Sequence, residues 1–166
     1  RGWTREKQIT TQGGSAGGLL VGASLNLAPN LFCGAVAEVP FVDVLTTMLD
    51  ASLPLTPPEW PEWGNPIESR DAYELIAGYA PYENIAATAY PHVLATAGLT
   101  DPRVTYWEPA KWIARLRDRR TDDGYSLLRT EMGAGHGGKA GRYNQLHEVA
   151  FVYSFVLTIH EKHNHL

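Results

Sequence analysis

The stretch Gly13-Gly-Ser-Ala-Gly17 constrains this chain more than any other. It fits Gly-x-Ser-x-Gly, in which a serine sits on a strained turn between a strand and a helix. Such a turn needs an extended segment before it and a helix after it. Both are present. Ile9-Thr-Thr-Gln12 is short and β-branched and reads as a strand. From Ala16 to Leu27 the residues are mostly small or aliphatic, and Pro29 lies just past the end, which reads as a helix. Gly17, Gly18 and Gly22 strip bulk from its first turns. Glycine costs a helix about 1 kcal/mol relative to alanine, so the pair at the start implies close backbone approach to a neighbouring strand.

The rest of the chain continues the alternation. Ala35 to Val39 reads as a second strand, ended by Pro40. Between Leu53 and Pro66, five prolines alternate with Glu59, Trp60, Glu62 and Trp63, which predicts a stiff ordered loop, neither strand nor helix. Asp71 to Tyr79 is a predicted helix stopped by Pro81. His92 to Ala97 is a predicted strand, with Gly98 opening the loop beyond it. Tyr106 to Arg119 is a helix with Pro109 near its first turn, Tyr125 to Thr130 a strand, and Gly133 to Gly141 a glycine-rich loop. Arg142 to about Glu161 closes the chain as an amphipathic helix, with Val149, Val152, Phe155, Val156 and Ile159 at helical spacing. Strands alternating with helices imply an α/β fold, a mostly parallel sheet with helices on both faces. Functional groups in such sheets gather at the carboxyl ends of the strands.

Three residues fall there. Ser15, Asp101 and His136 each lie in a loop just after a predicted strand. The order Ser, Asp, His is that of α/β-hydrolases. A serine hydroxyl is a poor nucleophile at neutral pH and needs a base within hydrogen-bond reach. Imidazole suits that task, and a carboxylate fixes its tautomer and stabilises the imidazolium. The backbone N–H of Ala16 is the expected oxyanion donor, because the residue after the nucleophile supplies one in this geometry. Read singly, each has a plainer role: a turn serine between glycines, a turn-starting aspartate before Pro102, a surface histidine. Asp71, Asp122 and Asp123 fit the acid less well by position, and His92 and His147 lie inside predicted regular elements.

Composition narrows the class. With 166 residues, 44% of them hydrophobic, the chain suffices for one globular domain with a core. A formal net charge of −4 indicates no nucleic acid or other polyanion as partner. Arg115, Arg117, Arg119 and Arg120 read as the solvated end of a helix, where cations suit the helix dipole. Cys33 is the only cysteine, expected to be a buried inert thiol, and fits a reducing, cytoplasmic setting. No cofactor or metal is expected; His160, His163 and His165 read as a frayed, solvated tail. No apolar run is long enough to span a bilayer, so no membrane partner is expected. The chain opens on Arg1, so the lack of a targeting segment says nothing.

Taken together, Gly13-Gly-Ser-Ala-Gly-Gly18, Val39-Pro-Phe-Val-Asp-Val44, Glu62-Trp-Gly-Asn-Pro66, Asp101-Pro-Arg-Val104, Tyr106-Trp-Glu-Pro-Ala-Lys-Trp112 and Gly135-His-Gly-Gly-Lys139 resemble the prolyl oligopeptidase family of serine peptidases. The resemblance runs from about Gly2 to Val156. It implies a partial α/β-hydrolase fold, the C-terminal portion of the catalytic domain, with earlier strands and a β-propeller outside this chain. It implies Ser15, Asp101 and His136 as the triad. It places Arg103 on a substrate backbone carbonyl with Val104 beside it, and Glu59 in the primary specificity pocket with Phe41 nearby. A carboxylate there would pair with Arg or Lys of a short peptide. Family members usually carry a second acid where this chain has Pro61, with Glu62 adjacent. A second oxyanion donor, a tyrosine hydroxyl, comes in the family from the earlier region, and the part of the chain lacking it is expected to expose a sheet edge and an apolar face. Two other readings stay open: an esterase or acyl-peptide hydrolase of the same fold, and a catalytically inert partial fold or binding surface.

Overall fold

The computed structural model describes residues 2–164, without the side chains of 142 and 162–164. Four strands form one sheet: β1 (Ile9–Gly14), β2 (Phe32–Glu38), β3 (His92–Gly98) and β4 (Ser126–Glu131). They lie side by side in chain order, and every pair is parallel. Six α-helices accompany them: α1 (Ala16–Leu27), α2 (Val44–Met48), α3 (Thr56–Trp63), α4 (Arg70–Tyr79), α5 (Trp107–Arg119) and α6 (Arg142–Asn164). The α/β alternation read from the sequence is the alternation of the fold.

Period-two burial explains the layers. On one face of the sheet Ala35, Ala37, Val93 and Ala95 pack against Val21 and Leu25 of α1 and Trp112, Ile113 and Leu116 of α5. Successive parallel strands joined by right-handed crossovers put their connecting helices on one face. The alternate residues Val36 and Leu94 face the other way and pack against Val152, Phe155 and Ile159 of α6. A Cβ on Gly34 would lie 2.0 Å from the Ile159 side chain, so that strand position must be glycine for α6 to sit this close. A third cluster lies above the carboxyl ends of the strands. There Phe41, Val44, Leu45, Met48, Ile76 and Val104 are joined by Trp60 and Trp63.

Several expectations are corrected. The proline-rich segment is not a loop: Thr56–Trp63 is α3. Pro57 and Pro58 fall in its first turn, where N–H groups have no helical acceptor to lose. Only Pro61 removes an internal bond. Side chains hold the helix in place, with Thr56 Oγ1 donating to the Thr47 carbonyl (2.8 Å) and Trp60 Nε1 to the Met48 carbonyl (3.1 Å). The arginines at the end of α5 are not simply solvated. The Arg120 side chain is 6% exposed, pairs with Asp122, and donates to the Tyr90 carbonyl and Ser126 Oγ. Arg117 Nε donates to the Ser126 carbonyl at 2.8 Å. Helix α6 is less amphipathic than its spacing suggests: Leu146, Val149, Tyr153 and Leu157 are exposed opposite its buried stripe. His160 is not solvated either, since its ring lies 2.9 Å from Thr10 Oγ1 and 3.4 Å from Cys33 Sγ. His163 and His165 lie outside the described side chains. Among the described residues no group of three metal-ligating side chains occurs, and no helix is long and apolar enough to cross a membrane.

Candidate active site

The site is built at the carboxyl edge of the sheet. Ser15 follows the last residue of β1 with φ 55° and ψ −121°. A non-glycine residue there is strained, at a typical cost of about 1–3 kcal/mol, and persists only where its surroundings over-determine it. They do so here. The Ser15 N–H donates to the Glu38 carbonyl (2.9 Å), and the Ser15 carbonyl accepts from the N–H groups of Gly18, Leu19 and Phe41. Two glycines leave room for this turn. A Cβ on Gly13 would lie 2.4 Å from the Gly17 carbonyl oxygen, and one on Gly18 would lie 2.4 Å from Pro40. The close approach expected of the helix start is thus made by Gly18 to the loop after β2; Gly17 has open space. Ala16 begins α1, so its N–H has no acceptor within the helix.

Asp101 lies three residues beyond β3 and is 7% exposed. Its Oδ1 accepts from the N–H groups of Arg103 (2.8 Å) and Val104 (3.1 Å). Its Oδ2 lies 2.8 Å from His136 Nδ1. The two loops are bound to each other, because Thr100 donates to the Ala134 carbonyl from both its backbone N–H and its hydroxyl. Gly98 permits this contact: a Cβ there would meet the carbonyl oxygens of Gly135 and Ala134 at 2.5 and 2.6 Å. The structure therefore brings Asp101 and His136 together directly. Ser15 stands on the same edge, and no hydrogen bond joins its Oγ to His136 among the described residues. Such bonds are often loose before substrate binds.

Two clefts open at this edge. One, about 270 Å³, is lined by His136 together with Glu131 at the end of β4 and Glu148 and Val152 of α6. The other, about 140 Å³, has Ser15 and Ala16 at one wall. Phe41, Glu59, Glu62, Arg103 and Val104 all line this second cleft. Phe41 packs edge-on against Trp63, and Trp63 Nε1 donates to Glu59 Oε2 at 3.1 Å. Every substrate-binding candidate named from the sequence thus shares one cavity with the serine. The rival residues do not. His92 begins β3, and its Nδ1 accepts from the Tyr125 N–H. Asp122 is held by Arg120 near the start of β4, at the opposite end of the strands.

The sequence reading missed the floor of this cleft. Glu108 is 1% exposed, yet lines the cavity. Its Oε1 accepts from Thr47 Oγ1 (2.7 Å), and its Oε2 from the N–H groups of Val42 (3.1 Å) and Asp43 (3.0 Å). Burial pushes its carboxyl up to about 7, against the lowering effect of those bonds. Beside it, Asp43 is fully buried and ion-paired with Lys111. A signal was available: Glu108 sits one turn from Trp112 and two from Leu116, so it lies on the buried stripe of α5.

With the geometry in hand, comparison with known proteins gives a consistent answer. The chain is 54% identical over 155 residues to Protease 2 of Moraxella lacunata, covering 93% of this chain and 22% of that protein. It is 50% identical over 156 residues to dipeptidyl aminopeptidase BI of Pseudoxanthomonas mexicana, covering 94% of this chain and 21% of that protein. Among solved structures it is similar to oligopeptidase B from Trypanosoma brucei with covalently bound antipain, in a closed form. That match has a TM-score of 0.91 and 50% identity, covering 95% of this chain and 22% of the other. The chain therefore spans about a fifth of the length of these relatives. The model of the prolyl oligopeptidase family matches residues 1–163, and the chain belongs to that family.

Proposed function

We propose that this chain carries the catalytic residues of a serine-type oligopeptidase that hydrolyses short peptides after Arg or Lys through an acyl-enzyme. The observation that carries the reading is the 2.8 Å contact between His136 Nδ1 and a buried Asp101 that is itself fixed by two backbone N–H groups. An Nδ1–H donating to that carboxylate leaves Nε2 as the basic nitrogen, the one that removes a proton from the serine hydroxyl. Ser15 Oγ then attacks the scissile carbonyl. The oxyanion accepts the Ala16 N–H, and the imidazolium returns its proton to the leaving amine. Water, activated by the same imidazole, attacks the acyl-enzyme and frees Ser15. A relative of half-identical sequence that holds a covalent ligand is in keeping with a nucleophilic step.

Specificity follows from the cleft beside the serine. Glu59 and Glu62 put carboxylates on its wall, and Arg103 offers a guanidinium at its mouth. A substrate cation paired with Glu59 accounts for selection of Arg or Lys, while Arg103 holds a backbone carbonyl. The name of the Pseudoxanthomonas relative favours a second reading, removal of dipeptides from the amino end of a peptide.

A fluorophosphonate probe tests the first part. It should label the intact protein at Ser15, and replacing His136 by Ala should abolish labelling without unfolding the protein. Absence of labelling in the wild type would overturn the nucleophile assignment. Matched blocked and free-amine substrates ending in Arg, Lys or a neutral residue then separate the two specificities.

A further inference from the structure

The cleft beside Ser15 has a buried carboxylate that the catalytic steps above do not use. Glu108 lies on its floor, on the helix after the Asp101 loop. Three donors converge on it, and they belong to the segment that starts α2. Thr47, one of those donors, also gives its carbonyl to Thr56 at the first residue of α3. The connection runs from Glu108 through Thr47 and Thr56 to the helix that carries Glu59 and Glu62. Trp60 adds a parallel tie by donating to Met48, the last residue of α2. The carboxylate thereby anchors α2 directly, and α3 only through α2.

Its charge is also unusual. Among the described residues no lysine or arginine pairs with Glu108. Lys111, the cation nearest along α5, is taken by Asp43. The charge that acts on Glu108 directly is Asp43 at the start of α2, with its Lys111. Glu83, its carboxyl pushed up by burial, interacts with that pair in turn, and Glu59, Glu62 and Arg103 line the same cavity. A buried carboxylate without a counter-ion is costly to ionise, and a cation entering the cavity lowers that cost.

We infer that Glu108 is a positioning and specificity residue for the cationic side chain of the substrate, holding the α2–α3 wall and supplying negative potential from beneath it. The inference rests on the peptidase reading above. Since burial holds the carboxyl near 7, Glu108 gains its charge as pH rises through neutrality. Preference for a cation over a neutral isostere should rise with it.

The test compares kcat/KM for chromogenic peptides ending in Arg or in citrulline, its neutral isostere, from about pH 6 to about pH 8. Taking the ratio cancels any ionisation common to both substrates, that of the catalytic base included. In the wild-type protein the Arg-to-citrulline ratio should rise about three- to tenfold over that range, the size of a through-space attraction between two charges across a partly dry cavity. In Glu108→Gln, which keeps the shape and can still accept the two N–H groups while facing the Thr47 hydroxyl, the ratio should stay flat at its low-pH value. The loss should appear in KM for the Arg substrate with kcat unchanged, and fluorophosphonate labelling at Ser15 should proceed at the wild-type rate. Glu108→Ala should add a loss of discrimination at all pH values as the wall loosens. A wild-type ratio independent of pH, or a Glu108→Gln variant that keeps the rise, overturns the inference while leaving the peptidase reading intact. Parallel loss on both substrates together with slower labelling overturns it too, in favour of a purely structural carboxylate. Indifference of the wild type to Arg versus citrulline at every pH overturns both.

Discussion

The elbow around Ser15 and the wall formed by α2 and α3 border the same cleft, yet they are held by different means. The elbow is fixed by short-range backbone geometry. Its strain is absorbed by bonds within a few residues of Ser15 and by one neighbouring strand end, and Gly13 and Gly18 are required by clashes of 2.4 Å. The wall is fixed by side chains from far along the chain. Glu108 reaches Val42, Asp43 and Thr47 across more than sixty residues, while nearer ties, Thr56 to Thr47, Trp60 to Met48 and the Trp63 ring against Phe41, pin a helix that contains three prolines. On the proposed reading, the contrast puts the nucleophile where deviation is not tolerated and the specificity element on a wall that distant side chains hold. Substitution of the elbow serine should therefore abolish turnover, substitution of a supporting elbow glycine should cost stability, and substitutions in the wall should change substrate choice.

That comparison can be broken at four points. The largest effect is expected for Ser15→Ala, which should lower turnover by about 10⁶ on every substrate; normal peptidase rates in that variant would remove Ser15 from the mechanism. Next is Asp101→Asn. It keeps the shape but presents His136 with a different hydrogen-bonding partner, so kcat should fall by about 10⁴. A change confined to KM would place Asp101 in the scaffold instead. Third is Glu59→Gln in the wall. Cleavage after Arg should weaken by about 10–100-fold while a neutral substrate is unaffected, the range for a hydrogen bond to a charged group. Equal losses on both substrates would mean that the wall does not select charge. The smallest effect is Gly18→Ala, which pushes a methyl into Pro40 and should destabilise the protein by about 1–3 kcal/mol in a denaturant titration. If Gly18→Ala were as stable as the wild type, the elbow would be looser than its contacts indicate.

How far each region could be read from the sequence follows the same division. The strand, serine and helix of the elbow were legible, because glycine spacing, a β-branched run and a following proline act locally. All four strands and the helices α1, α4, α5 and α6 were legible for similar reasons. Helix α3 was not. Proline is a strong local signal against helix, and here tertiary hydrogen bonds from Thr56 and Trp60 outweighed it. The five-residue α2 gave no periodicity to read, since its burial depends on Met48 and Leu45 meeting α4. Arg120 was misjudged because its partners, Tyr90, Asp122 and Ser126, gather only when the ends of β3 and β4 are side by side.

The candidate site divides in the same way. Order and placement after strands singled out Ser15, Asp101 and His136, and family resemblance supplied Glu59, Phe41, Arg103 and Val104. Neither could show that Asp101 Oδ2 meets His136 Nδ1 at 2.8 Å, or that the binding candidates share a cavity with Ser15. Glu108 escaped notice because a glutamate in the first turn of a helix is ordinarily a solvated group that favours the helix dipole.

By itself, the sequence determined the α/β alternation, the strained serine turn and the placement of three chemical groups after three strands. These depend on backbone preferences and on side-chain periods that act over a few residues. Only the tertiary structure decided which loops touch, which carboxylate lost its water and what lines the cleft. Those outcomes depend on desolvation and on hydrogen bonds between segments far apart in the chain, and no local pattern carries that information.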